Sequence, residues 1–209
     1  MPKPTSALPF KRSFASKQGE VRALPEPLPW GAVPGWFDFP GWYDRIVREA
    51  PAGATVVEVG AWYGRSVIYL AQRAQAVGKP LKIFAVDTFA GSAEHDEELR
   101  GKHPGHLFHH FVTNTYAARV AHMVTPMTMT SLQAARLFGP RSVFAVFIDA
   151  EHTYDAVHAD IEAWRPAIVP GGYISGHDYL WDPSTVKRAV DEAFPARELQ
   201  GSTWIQRLD

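Results

Sequence analysis

The sequence predicts a single α/β domain built on a parallel sheet with helices on both faces. From Thr55 onward, short apolar runs rich in β-branched residues alternate with helical patterns, as βαβ units do. These runs are TVVEVG, KIFAVD, HMVTPM, SVFAVFID and GGYISGHD. The chain has 209 residues, of which 46% are hydrophobic, enough for one sizeable core. Near the C-terminus, RELQGSTWIQRL has two strand-like runs around Gln200 and Gly201, which predicts a hairpin at the end of the sheet.

The N-terminal region divides into two parts by composition. Residues 1–28 are rich in Pro, Ser and basic residues without periodicity, so we expect an extended tail followed by one domain over residues 29–209. The next stretch, WGAVPGWFDFPGWYDRIVREA, concentrates aromatic residues. In it Trp42, Ile46 and Val47 have the spacing of a helix packed on the core. The alternative is an aromatic lid over a ligand.

A second amphipathic helix is predicted in TYDAVHADIEAWRPAI. Val157, Ile161, Trp164 and Ile168 recur at helical spacing and form one apolar stripe. The acids in this segment fall outside the stripe; they are Asp155, Asp160 and Glu162. We therefore expect the stripe to pack on the sheet.

Composition excludes several classes of partner. The net charge of −1 gives no general attraction to nucleic acid or to an acidic membrane. There is no cysteine, and no apolar stretch approaches the roughly 20 residues of a membrane span. The first residues also lack a hydrophobic signal core. We expect a cytoplasmic protein that binds neither nucleic acid nor membrane; a homo-oligomer is compatible with the sequence.

The strongest binding motif is VVEVGAWYGRS, where a buried-looking strand runs into a loop between Gly60 and Gly64. Parallel sheets bind ligands at this turn, but the spacing is not the G-x-G-x-x-G of dinucleotide enzymes. A carboxylate at Glu58 would repel a pyrophosphate and favour the ammonium and sulfonium of S-adenosylmethionine. The methionine carboxylate could then lie at the start of the next helix, near Ser66. Asp87 ends the next strand, where an acid hydrogen-bonds ribose hydroxyls. The alternative for Glu58 is a structural acid that caps the strand.

Five segments together resemble class I S-adenosylmethionine-dependent methyltransferases. They are VEVGAWYGRSVIYLA, IFAVDTF, TSLQAA, VFIDAEHTYDAVHADIEAW and PGGYISGHDY. More narrowly, they are similar to small-molecule O-methyltransferases, which include catechol-type enzymes and the metal-dependent sugar enzymes of macrolide and aminocoumarin biosynthesis. The resemblance implies a Rossmann-like, doubly wound, seven-stranded sheet of order 3-2-1-4-5-7-6 with the last strand antiparallel.

The resemblance also assigns cofactor-binding positions. Thr88 and Phe89 correspond to the wall of the adenine site, and Ser131 with Leu132 to its edge. One departure is Trp62, which replaces the middle glycine of the common loop, as an aromatic residue does in the catechol-type branch. The full expected cofactor set is Glu58, Gly60, Ala61, Trp62, Ser66, Asp87, Thr88, Phe89, Ser131, Leu132 and Asp149.

A metal site is expected where two neighbouring strands end. Asp149 ends the fourth strand, and His177 with Asp178 ends the fifth. In the resembled family, acids at these positions hold a magnesium ion that binds the substrate hydroxyls. Here His177 replaces one acid, and imidazole suits manganese, iron or zinc better than magnesium, so the expected divalent cation is Mg²⁺ or Mn²⁺ with its identity open. Alternatively, His177 points away, or Asp149 caps a helix or binds the cofactor's amino group.

His152 is the candidate general base, with Asp149 as the second catalytic residue. The resemblance places the family's base at this D-x-x-H position, and a neutral imidazole suits removal of a hydroxyl proton. An ordinary loop histidine is the alternative. Five other histidines lie between the second and third strands; they match no metal signature and are expected in a solvated segment near the substrate pocket. They are His95, His103, His106, His109 and His110.

The sequence therefore predicts an S-adenosylmethionine-dependent O-methyltransferase acting on a small-molecule hydroxyl. By resemblance, a sugar or other polyol is the favoured acceptor. One alternative is an NAD(P)-dependent oxidoreductase, which Glu58 and the glycine spacing oppose. The other is a non-catalytic S-adenosylmethionine-binding protein, since binding and transfer use the same loop.

Overall fold

The structure, a computed structural model, describes residues 25–91 and 105–209. Seven strands form one sheet in the order β3-β2-β1-β4-β5-β7-β6, which confirms the predicted order. Strand β7 is antiparallel to both of its neighbours, whereas the other pairs are parallel. The strands are β1 Thr55–Val59, β2 Lys82–Asp87, β3 Val124–Thr128, β4 Val143–Ile148, β5 Ile168–Gly176, β6 Glu198–Gln200 and β7 Thr203–Arg207.

Helices cover both faces of this sheet, as expected for a doubly wound fold. Within the described ranges, the α-helices are α1 Pro40–Glu49, α2 Arg65–Ala76, α3 His106–Ala117, α4 Ser131–Ala135, α5 Tyr154–Trp164 and α6 Val186–Ala193. Short 3₁₀ helices lie at Trp30–Ala32 and Arg165–Ala167. None of the helices in these two ranges is long and apolar enough to cross a membrane.

Two hydrophobic cores result from the alternation of side chains along each strand. Val56 of β1 belongs to the core under α1, α2 and α3, whereas Val57 and Val59 belong to the core under α4, α5 and α6. Both faces of the strand are therefore apolar, as in other buried parallel sheets. Glu58 is a polar exception on the first face, with 1% of its surface exposed.

The aromatic segment before β1 packs on the core and also borders a cleft. Trp42, Ile46 and Val47 are buried on α1, which confirms the core-packed helix. Phe37 and Phe39, just before that helix, border the large cleft described below. Phe39 also packs against Phe147 of β4, with ring centroids 4.4 Å apart. Residues 34–39 thus connect the core to one wall of the cleft.

The predicted α5 stripe is correct for three of its four positions. Val157, Ile161 and Trp164 are buried on α5, but Ile168 begins β5. The reason is Pro166, which lacks an N–H and ends a regular α-helix, so the chain leaves α5 through a 3₁₀ turn. Asp160 lies outside the stripe and is nevertheless 5% exposed. Its burial was not predicted.

The structure describes part of the predicted N-terminal tail and part of the histidine-rich segment between β2 and β3. Leu28, at the end of the predicted tail, accepts a hydrogen bond from Gln72 of α2 and donates one to the Ala117 carbonyl at the end of α3. The boundary at residue 28 stays a prediction. His106, His109 and His110 lie on α3, whereas His95 and His103 lie outside the described residues.

Candidate active site

A cleft of about 870 Å³ opens at the carboxyl ends of the central strands. Its walls come from the loop after β1, the ends of β2, β4 and β5, the start of α4 and one face of α5, with residues 34–39 on the other side. This is where open parallel sheets bind ligands. The cleft is therefore the candidate active site.

The loop after β1 needs glycine at its first position. Gly60 has φ of +91°, and a Cβ there would lie 1.9 Å from the Asp149 carbonyl oxygen. Only a residue without a side chain lets the ends of β1 and β4 approach so closely. Trp62 also has positive φ, +48°, although it is not a glycine. Hydrogen bonds to the end of the neighbouring strand β2 stabilise its left-handed backbone.

Asp87, at the end of β2, accepts these hydrogen bonds. Its Oδ2 accepts hydrogen bonds from the Ala61 and Trp62 backbone N–H groups at 2.9 and 2.8 Å. Its Oδ1 accepts one from the Phe89 backbone at 2.7 Å. The predicted ribose acid thus also fixes the shape of the loop that it adjoins. Carboxylate oxygens accept more than one bond each, so Asp87 retains capacity for a ligand.

Glu58 does not line the cleft. Its two carboxyl oxygens accept hydrogen bonds from the hydroxyls of Tyr43 and Ser66, both at 2.5 Å. Burial raises the pKa of Glu58 to about 8, although both hydroxyl bonds act in the opposite direction. A group buried beneath the loop and largely neutral at pH 7 does not attract a cation into the cleft. The structural alternative for Glu58 therefore agrees with its position, and the electrostatic argument from the sequence does not.

Three groups that could hold a metal ion meet at the ends of β4 and β5. Asp149, His152 and Asp178 each offer one ligand atom, and these atoms lie within 4.8 Å of one another. No other set of three such groups occurs in the part of the chain that the structure describes. The expected set contained His177 in place of His152.

His177 turns toward other partners. Its Nε2 lies 2.8 Å from Oδ1 of Asp38, on the opposite wall, and its Nδ1 lies 3.3 Å from Oδ1 of Asp178. Burial lowers the pKa of His177, but Asp178, Asp149 and Asp38 together raise it above its usual value. His177 borders the cluster and links it to residues 34–39.

The carboxyl groups of the cluster differ in charge. Burial raises the pKa of Asp149 to about 7, and Asp178 adds to the rise while His177 and His152 oppose it. Burial would also raise the pKa of Asp178, but hydrogen bonds with His152 and His177 outweigh it and hold that pKa well below its usual range. The His152 Nε2 lies 3.0 Å from Asp178 Oδ2. Asp178 is thus the permanent anion of the site.

At the other end of the cleft, some of the residues expected at the adenine site line the cleft and one does not. Ser131, Leu132 and Thr88 line the cleft. Phe89 does not, because its ring is 4% exposed and packs against Phe108 and Phe111 of α3. Its backbone N–H donates a hydrogen bond to Asp87, which does line the cleft.

Arg65 and Asp160 are two of the cleft-lining residues that were not among the predicted site residues. Arg65 opens α2, and its guanidinium donates to the Gly35 carbonyl at 2.6 Å, while its Nε is buried without a hydrogen-bond partner. Asp160 lines the cleft from α5. Arg65 lies at the start of the helix where the sequence predicted that the methionine carboxylate binds. Its positive charge at that position could therefore have been recognised from the sequence. Asp160 gave no such signal, because an acid off the apolar stripe is ordinarily exposed.

A family model described as a methyltransferase domain matches residues 57–179, more than half of the chain. The chain therefore belongs to the methyltransferase domain family, which confirms the class predicted from the sequence.

Two curated proteins are similar to the chain over part of their length. A rhamnosyl O-methyltransferase of Mycobacterium tuberculosis is 26% identical over 164 residues, covering 73% of this chain and 61% of that protein. The protein y4gI of Sinorhizobium fredii is 28% identical over 175 residues, covering 79% of this chain and 18% of that protein. The chain spans less than two thirds of either relative.

Solved structures share the fold. The O-methyltransferase NovP superposes with a TM-score of 0.59 at 16% identity, over 81% of this chain and 78% of NovP. CalS11, a TDP-rhamnose 3'-O-methyltransferase, gives a TM-score of 0.57 at 19% identity, over 80% of this chain and 76% of CalS11. Identities this low establish the architecture alone.

Proposed function

We propose that this protein transfers a methyl group from S-adenosylmethionine to a hydroxyl of a sugar or related small polyol, assisted by a divalent cation. The observation that carries the proposal is the position of the Asp149, His152 and Asp178 cluster. It shares one cleft with the loop from Gly60 to Ser66. A cofactor held at the loop and a hydroxyl held at the cluster would therefore meet.

The cleft offers a partner for each part of the cofactor. Asp87 would bind the ribose, and Ser131 with Leu132 would contact the adenine; all three line the cleft. Arg65 is the group that suits the methionine carboxylate, because it is the lysine or arginine among the described cleft-lining residues and has an unused buried N–H. When bound, S-adenosylmethionine supplies a methyl group on a positively charged sulfur.

The cluster suits a divalent cation by its chemistry and its size. Two carboxylates and one imidazole are a donor set for manganese, iron or zinc, and for magnesium with fewer ligands from the protein. Ligands about 2.1 Å from one ion lie at most about 4.2 Å apart, so donor atoms that lie within 4.8 Å of one another need at most a small closure. When bound, the cation lowers the pKa of an acceptor hydroxyl.

His152 has two candidate roles, base and ligand. Its Nε2 lies among the carboxylate oxygens, bonded to Asp178, which favours the ligand role. As a base, it would take the hydroxyl proton at Nε2 while the acceptor oxygen attacks the methyl carbon and the C–S electron pair returns to sulfur. That role requires the imidazole to leave Asp178. Metal affinity separates the two roles, because only a ligand contributes to it.

A sugar acceptor is favoured by two aromatic side chains and by the relatives. Trp36 and Trp181 line the cleft and are 73% and 65% exposed. The Trp181 ring lies 5.8 Å from that of His152, so a ring stacked on it would bring a hydroxyl toward the cluster. A rhamnosyl O-methyltransferase is among the similar curated proteins.

The test is methyl transfer to a neutral rhamnoside and to TDP-rhamnose, followed by mass spectrometry, with magnesium, manganese or excess chelator. We expect product with metal and a large loss on chelation, and calorimetry should show binding of S-adenosylmethionine but not of NADP. Asp178→Asn should remove activity, whereas Asp155→Asn, an exposed acid of α5, should not. Cofactor binding without transfer would favour the non-catalytic alternative, and tight NADP binding would overturn the proposal.

A further inference from the structure

Asp160 is a buried carboxyl group that faces the cleft and has no part in the chemistry described above. It lies on α5 and lines the cleft together with Ala159, the residue before it, and with Ala156, one turn earlier on the same face. Only 5% of its surface is exposed. A buried acid is costly unless hydrogen bonds or an opposite charge compensate it. The hydrogen-bond partners of Asp160 therefore indicate what kind of ligand group it can bind.

The hydrogen-bond direction around Asp160 is fixed by Trp164. The Trp164 indole can only donate, and its Nε1–H goes to the Ser131 hydroxyl oxygen at 2.9 Å. Ser131 has one hydrogen of its own, which is then available for its hydrogen bond with Asp160. The chain of bonds thus runs from Trp164 through Ser131 to Asp160. The carboxylate is left as an acceptor.

No cation compensates this acceptor within the part of the chain that the structure describes. Burial raises the pKa of Asp160 to about 6, the Ser131 bond opposes the rise, and no charged neighbour contributes. The group is ionised at neutral pH with one hydroxyl as its donor. Further donors must come from the cleft, the side on which Asp160 borders open space.

We infer that Asp160 determines the base specificity of the cofactor site by accepting a hydrogen bond from the exocyclic 6-amino group of adenine. This inference rests on the proposed function, which places adenine beside Ser131 and Leu132. Ser131 is the residue that Asp160 contacts, so both groups address the same end of the ligand. A 6-oxo purine would instead direct a carbonyl oxygen at the carboxylate and be rejected.

The test compares S-adenosylhomocysteine with S-inosylhomocysteine by calorimetry near pH 7.5. We expect the wild type to bind the adenine compound roughly tenfold or more tightly, as is typical when a site built for a hydrogen bond meets a ligand without it. In the Asp160→Asn variant, the amide oxygen should keep the Ser131 bond, because Ser131 can only donate there. The amide NH₂ then faces the ligand. The affinity ratio should shift by about tenfold toward S-inosylhomocysteine.

A matched control and the remaining outcomes separate the two proposals. Asp155→Asn makes the same change of charge on an exposed position of the same helix and should leave the ratio unchanged. Equal binding of both compounds by the wild type, or an unchanged ratio in Asp160→Asn, would overturn the inference. If neither compound binds the wild type, the proposed function itself fails. Equal binding by the wild type overturns the inference even if the variant does not fold.

Discussion

Replacing Glu58 by Gln should make the protein more stable at pH 8 than the wild type. Glu58 is 1% exposed, and burial raises its pKa from 4.5 to about 8. The folded protein therefore holds a proton that the unfolded chain releases between those two values. Its stabilising effect is complete below pH 4.5 and is lost as the pH rises toward 8. Glutamine has nearly the same shape and does not titrate.

The magnitude follows from linkage. Each pKa unit corresponds to about 1.4 kcal/mol, so the free energy of unfolding of the wild type should fall by about 3 kcal/mol relative to Glu58→Gln between pH 5 and pH 8. Other titrating groups are common to both proteins and cancel in the difference. Urea unfolding at constant ionic strength, followed by circular dichroism at four pH values, measures it.

A control variant separates the effect of burial from that of charge alone. Glu162→Gln removes the charge of an acid whose side chain is 55% exposed on α5, and its effect on the free energy of unfolding should be small at every pH measured. If Glu58→Gln and wild type also gave parallel curves, Glu58 would be an anion at pH 5. The hydroxyls of Tyr43 and Ser66 would then outweigh burial, and a neutral Glu58 beneath the loop would be refuted.

Three further predictions concern the cleft. Gly60→Ala should prevent folding or lower the free energy of unfolding by several kcal/mol in urea, because its Cβ would lie 1.9 Å from a carbonyl oxygen. The control Gly41→Ala, in open space on α1, should raise that free energy by roughly 0.5–1 kcal/mol. His152→Ala should lower kcat by about 100- to 10,000-fold. If calorimetry also shows a loss of manganese affinity, His152 is a metal ligand. If metal affinity is unchanged and the rise in rate through a histidine pKa disappears from the pH profile, His152 is the base. Asp87→Ala should weaken S-adenosylhomocysteine binding by about 1–3 kcal/mol, and unaltered affinity would contradict its role.

The sheet could be predicted closely because periodicity and chain order determine it. KIFAVD corresponds to β2 over its whole length, and the terminal hairpin has its turn at Gly201 as expected. The error at Ile168 arose because helical spacing continued in the sequence past Pro166, where the backbone could not follow. Apolar spacing alone does not reveal where an element stops.

The site was harder to predict because motifs fix strand ends but not the direction of side chains. Asp149 and Asp178 were brought together as expected, since neighbouring parallel strands end at one edge. His152 joins them in place of His177, whose Nε2 lies 2.8 Å from Asp38, a residue distant in sequence. The burial of Glu58 on β1 was not predicted for a similar reason, because its carboxyl group pairs with Tyr43 of α1. Such long-range pairings are not visible in a local pattern.

The segment before α1 is tied to the rest of the molecule on both sides of the cleft. The Gly35 carbonyl is held by Arg65, next to the glycine loop, and Asp38 reaches His177 beyond β5. The intervening chain is three residue steps long and reaches at most about 10 Å when extended. It therefore limits how far the two halves of the cleft can separate while both contacts are kept. Inserting a single residue between Gly35 and Asp38 would introduce slack and uncouple one half from the other while leaving every wall residue in place.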